Sequence, residues 1–66
     1  MKVSYKKLWK LLIDMGLKRA ELKVMTGFSS NTIAKLGGDE YVSMDALVKI
    51  CTALQVNIGD IMDVII

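Results

Sequence analysis

"ELKVMTGFSSNTIAKLGG", residues 21–38, is too polar in its middle to be one helix and too regular at its ends to be a loop. Gly27 and the small polar run Ser29 to Thr32 separate two apolar-patterned segments. The arrangement reads as two short helices joined by a tight turn at Thr26–Gly27–Phe28, with Ser29 capping the second. Leu22, Phe28, Ile33 and Leu36 are the residues expected to pack the pair together. With Ile33 pointing inward and about 100° of rotation per residue, Asn31, Ala34 and Lys35 fall on the opposite face. Ser30 and Thr32 flank them. Such a face has no aliphatic bulk to bury. It does carry donors and acceptors short enough to let the backbone approach something closely.

Outward from this stretch, helix starts follow one repeated spacing. An apolar residue precedes a cap position and a second follows the cap by four, so that the pair closes over the first turn while the cap side chain takes a free N–H. The triples are Val3–Ser4–Leu8, Leu17–Lys18–Leu22, Phe28–Ser29–Ile33, Val42–Ser43–Leu47 and Val56–Asn57–Ile61. Lys18 is a poor cap, but Glu21 stands three residues on, where a carboxylate favours a helix N-terminus. Gly16, Gly27 and the Gly37–Gly38 pair supply stops, and Gln55 and Val56 separate the last two segments. The expected helices are 4–15, 18–26, 29–36, 43–54 and 57–64. Leu8, Leu12, Leu22, Ile33, Leu36, Leu47, Ile50, Leu54 and Ile61 form the expected core. β-branched and aromatic residues do not alternate over any long run, which disfavours a sheet. The expectation is an all-α fold of five short helices.

Sixty-six residues imply one domain, spanning 1–66, near the lower end of what folds without staples, and the 53% hydrophobic content compensates. One cysteine, Cys51, excludes an internal disulfide, and without histidine no zinc-finger spacing can be written. Cys51 shares a helical stripe with Leu47, Ile50 and Leu54 and reads as a core residue. Trp9 and the methionines read as packing. The most apolar run, at the C-terminus, is interrupted by Asp60 and Asp63, so no membrane span is expected. The basic start lacks a small-residue cleavage site, which favours a soluble, cytoplasmic chain. No acid, base and nucleophile cluster is present, so neither an enzyme, nor a cofactor, nor a small-molecule substrate is expected.

Net charge is only +2, but it is unevenly spread. Residues 1–36 carry +6, from Lys2, Lys6, Lys7, Lys10, Lys18, Arg19, Lys23 and Lys35 against Asp14 and Glu21. Residues 37–66 carry −4, from Lys49 against Asp39, Glu40, Asp45, Asp60 and Asp63. Such asymmetry suggests one face for a polyanion and another turned away.

Arg19 to Gly38 resembles the helix-turn-helix element of the Cro/repressor-type (Xre-like) DNA-binding family, through Leu22, Gly27, Phe28, Ile33 and Leu36. The text "YVSMDALVKICTALQVNIGDIMDVI" is similar to that family's last two helices, so the resemblance runs over roughly residues 5–64. It implies a five-helix lambda-repressor-like domain with its helix-turn-helix at helices 2–3, whose recognition helix, 29–36, lies in the major groove of double-stranded operator DNA. The family's base-reading positions fall on Ser30, Asn31, Lys35 and Ala34. Asn can pair with adenine, Lys with guanine, Ser is permissive, and Ala can meet a thymine methyl. Lys18, Arg19, Ser29 and Thr32 fall where phosphates are held, and Lys6, Lys7 and Lys10 are weaker candidates. The sequence departs from the family at Lys23, where a small alanine is usual, at Gly37, where an acidic residue is frequent, and at Lys18, where Ser or Thr often caps.

The function expected is therefore a sequence-specific transcriptional regulator of bacterial or phage type, with repression the expected effect. The alternative is a protein–protein adaptor, antitoxin-like or anti-repressor, using the same fold without operator binding. One helix-turn-helix buries too little surface for tight, selective binding, which favours a homodimer on half-sites about 34 Å apart. In "NIGDIMDVII", Ile61 and Ile65 form an edge for the core while Met62, Val64 and Ile66 point elsewhere and make the candidate dimer surface.

Overall fold

Small polar caps set the middle helices where the spacing places them. The structure is a computed structural model describing residues 2–66. Ser29 precedes a helix at Ser30–Gly37, and its Oγ accepts from the Thr32 N–H at 3.3 Å. Ser43 precedes Met44–Leu54, and its Oγ accepts from the Ala46 N–H at 3.1 Å. Arg19–Thr26 starts without a side-chain cap at Lys18; instead the Glu21 carboxylate accepts from the Lys18 N–H at 3.2 Å. It ends on Gly27 at φ +72°, a left-handed conformation that costs a side chain-bearing residue about 1–2 kcal/mol. With a first helix at Lys6–Asp14, these make α1 (Lys6–Asp14), α2 (Arg19–Thr26), α3 (Ser30–Gly37) and α4 (Met44–Leu54).

The two ends of the chain differ from the five-helix expectation. Ser4 does not cap the first helix. It lies in a short strand, β1 (Lys2–Ser4), and Tyr5 takes the cap position, although the Ser4 Oγ still receives the Lys6 N–H at 3.4 Å. The expected fifth helix shortens to a single 3-10 turn, Ile58–Asp60, and the chain then extends into β2 (Asp63–Ile65). β1 and β2 pair antiparallel, with Lys2 opposite Ile65, Val3 opposite Val64 and Ser4 opposite Asp63. Asn57 does start a turn, since its N–H donates to Asp60 Oδ2 at 3.0 Å. Gly59, however, costs about 1 kcal/mol in a helix interior, and Ile61, Val64, Ile65 and Ile66 are β-branched. With a partner strand available, extension is the better state. The fold is mostly helical, with a two-stranded ribbon closing the termini.

Leu8, Leu12, Leu22, Leu36, Leu47, Ile50, Leu54 and Ile61 are buried in one cluster drawn from every helix. Ile33, expected in the core, is only half-buried and packs against its edge. α2 packs on α3 and α4, and the 3-10 turn packs on α1 and α4. Val3 and Tyr5 join the core from the β1 end. Tyr5 also ties that end to the connection after α3. Its hydroxyl donates to the Glu40 carbonyl at 2.8 Å, and its N–H donates to Asp39 Oδ1 at 3.0 Å. Asp39 holds φ +54°, a left-handed conformation that Asp tolerates better than most residues. Lys7 reaches the other terminus, pairing with Asp63 at 3.0 Å and donating to the Gly59 carbonyl at 3.1 Å. Among the described residues no helix is long and apolar enough to cross a membrane.

Candidate nucleic-acid interface

Leu36 anchors α3 in the core at zero exposure, while Ile33, Phe28 and the rest of the hydrophobic seam hold its inner side. The opposite side is left to solvent. Ser30, Asn31, Ala34 and Lys35 are all exposed, and Thr32 is half-buried beside them. The face derived from the sequence is thus the face the helix presents. Eight residues at about 1.5 Å each give a helix about 12 Å long, the span of three to four base pairs at about 3.4 Å each. The major groove, about 12 Å wide, accepts a helix of this kind.

The turn before α3 is held by its own polar groups. Thr26 Oγ1 donates to the Leu22 carbonyl at 2.7 Å and receives the Phe28 N–H at 3.4 Å. Ser29 and Thr32 hydroxyls stand 3.3 Å apart, in addition to the Ser29 cap on the Thr32 N–H. The structure therefore gathers Ser29, Ser30, Asn31 and Thr32 at the N-terminal end of α3, where free N–H groups and the helix dipole favour an anion.

Arg19 stands elsewhere. Its guanidinium lies over the Trp9 ring, 4.3 Å from the centroid. It also borders Gly37 at the C-terminal end of α3, where an added Cβ would come within 3.1 Å of Nη1. Glycine at 37 thus leaves the room that the guanidinium occupies, and the carbonyl end of the helix favours a cation. Lys18, at the start of α2, is exposed. Of the weaker lysine candidates, Lys7 is directed to Asp63 and Gly59 at the terminal ribbon, while Lys6 and Lys10 remain exposed.

Lys23 makes a contact the sequence reading did not anticipate. Its ammonium, at the surface, crosses the turn and donates to Ser30 Oγ at 2.7 Å. The only signal in the sequence was the lysine itself, standing where the resembled family has a small residue.

The tail is partly in and partly out. Ile61 is fully buried and Met62 packs against the core, but Val64 is 63% exposed and Ile66 fully so. Ile65, expected on the core side, is exposed as well, as are all three residues of β2. Burial pushes the Cys51 thiol above its ordinary value, with the negative charge of Asp60 adding, so the group stays protonated at neutral pH.

Residues 7–65 match the family model described as the Cro/C1-type HTH DNA-binding domain. No curated protein matches the chain. Among solved structures, the crystal structure of the transcriptional regulator VanUg (Form II) is similar at 50% identity and a TM-score of 0.92. The similarity covers 94% of this chain and 83% of that one. With the family model spanning nearly the whole chain and α2–turn–α3 built as that motif requires, the chain belongs to the Cro/C1-type (Xre-like) family of helix-turn-helix DNA-binding regulators.

Proposed function

We propose that the protein is a sequence-specific transcriptional regulator, acting as a repressor in the cytoplasm, that docks α3 in the major groove of operator DNA. The observation that carries this reading is the exposed face of Ser30, Asn31, Ala34 and Lys35 on a helix anchored from behind by Leu36. Asn31 pairs with adenine, Lys35 donates to guanine O6 or N7, and Ala34 meets a thymine methyl. Ser29 and Thr32 hold a phosphate at the N-terminal end of α3, and Lys18 and Arg19 hold the backbone near α2, fixing register without reading sequence. A neighbour described as a transcriptional regulator supports the regulatory role.

The protein works as a homodimer on paired half-sites, using the tail around Met62, Val64 and Ile66. Exposed apolar residues on an open-edged strand support that surface. The adaptor alternative draws on Met25 and Val48, exposed together beside α2 and α4, but it leaves the polar face of α3 without a task.

Selection from random duplexes with the purified protein tests the reading. An enriched motif at moderate salt is expected, with affinity falling steeply as salt rises, as neutralising about 4–6 phosphates requires. Asn31→Ala and Lys35→Ala each relax preference at particular base pairs by about 1–3 kcal/mol. Failure to enrich any motif favours the adaptor.

A further inference from the structure

We infer that Lys23 and Ser30 act as one donor pair that reads a guanine edge in the major groove. This rests on the DNA-binding reading of α3 and adds a specificity residue from the other helix of the motif. Lys23 Nζ lies 2.7 Å from Ser30 Oγ, and both side chains are solvent-exposed. An ammonium has three N–H donors and no acceptor, so in this contact the lysine donates and the serine oxygen accepts. The serine hydroxyl hydrogen is then directed away from the lysine, toward whatever lies in front of α3.

A free serine is permissive because it can donate or accept. A serine that already accepts from an ammonium is biased to donate. The ammonium itself keeps two further N–H groups beside that hydroxyl. The pair thus presents adjacent donors and a positive charge. Guanine, with O6 and N7 side by side, is the base whose major-groove edge is built of two acceptors, whereas cytosine offers a donor there. Lys23 reaches this position only because its stem rises from α2 and crosses the turn, so a base is read by both helices of the motif.

The test repeats the duplex selection with Lys23→Met, which keeps the stem and removes the charge, and with Ser30→Ala. Thermal unfolding of each variant, expected to match the wild type, separates folding from recognition. Both variants are expected to lose preference at the same guanine-containing base pair by about 5- to 150-fold, the worth of a good bidentate contact. The double variant is expected to lose no more than either single one. If Lys23→Met weakens every duplex alike and lowers the salt slope by about one while the motif is kept, the lysine is a phosphate contact and the pairing is overturned. A wild-type motif indifferent to both substitutions also overturns the pairing alone. A wild-type chain that enriches nothing overturns the DNA-binding reading and the pair with it.

Discussion

The helix-turn-helix and the terminal ribbon are both built from short elements, yet they are specified in different ways. α2, the turn and α3 are fixed by signals a few residues long: the Ser29 cap on the Thr32 N–H, Gly27 at φ +72°, and Thr26 bonding back to Leu22. β1 and β2 are fixed by each other, through pairings such as Val3 with Val64 at opposite ends of the chain. A two-stranded ribbon of this length is not stable alone. It stands because Val3 and Ile61 are in the core and Lys7 ties Asp63 and Gly59. Local chemistry decides the first region, and availability of a partner decides the second. The proposed function draws on the same division, since a reading helix would need a fixed frame and an open-edged tail would be able to accept another chain.

Substitutions can break this contrast at graded cost. The largest effect is expected at Leu36, which is fully buried under α3. Leu36→Ala loses about 2–5 kcal/mol, a large share of the ~3–10 kcal/mol typical for a chain of this size, so urea unfolding should find much of the protein unfolded at 37 °C. Gly27→Ala comes next. It forces a side chain into a left-handed turn at a cost of about 1–2 kcal/mol, and the urea midpoint should fall without a change in slope.

Tyr5 joins the two regions, and Tyr5→Phe removes its bond to the Glu40 carbonyl at a cost of about 1 kcal/mol. Burial raises the Tyr5 phenol above its ordinary 10.0, and the negative charge of Asp39 adds to this. An acid group raised on folding favours the native state while it is protonated, so its contribution is complete below pH 10 and lost as pH climbs through the folded value. The stability difference between wild type and Tyr5→Phe should therefore shrink above pH 10 in matched melting curves. The smallest effect on stability belongs to the tail. Val64→Asp with Ile66→Asp should shift monomer stability by no more than about 0.5 kcal/mol, because both positions are exposed. Sedimentation at tens of micromolar should nonetheless turn a dimer into a monomer. A wild-type chain already monomeric there would remove the tail from the account of assembly.

What the sequence made legible follows the same line. Ser29 and Ser43 were readable as caps because a cap and its N–H lie within one turn. Ser4 and Asn57 carry the same spacing, but β1 pulled Ser4 into an extended segment, and beyond Asn57 the glycine and β-branched residues gave way to the strand. Tyr5 was missed as a core residue because its partners, Asp39 and Glu40, are brought near only by the folded chain. At the site, the polar face of α3 was legible from periodicity. The Lys23 contact with Ser30 was not, since it depends on how α2 and α3 cross.

The central claim, that α3 faces DNA while the ribbon does not, is tested most directly by amide chemical-shift mapping. Labelled protein is titrated with the selected duplex under conditions where the free chain's assembly state is unchanged. The largest shifts are expected from Ser29 through Lys35 and at Lys23, with Val48 and Thr52 on α4 little affected. Shifts concentrated on α4, or spread over β1 and β2 with α3 silent, would contradict the account.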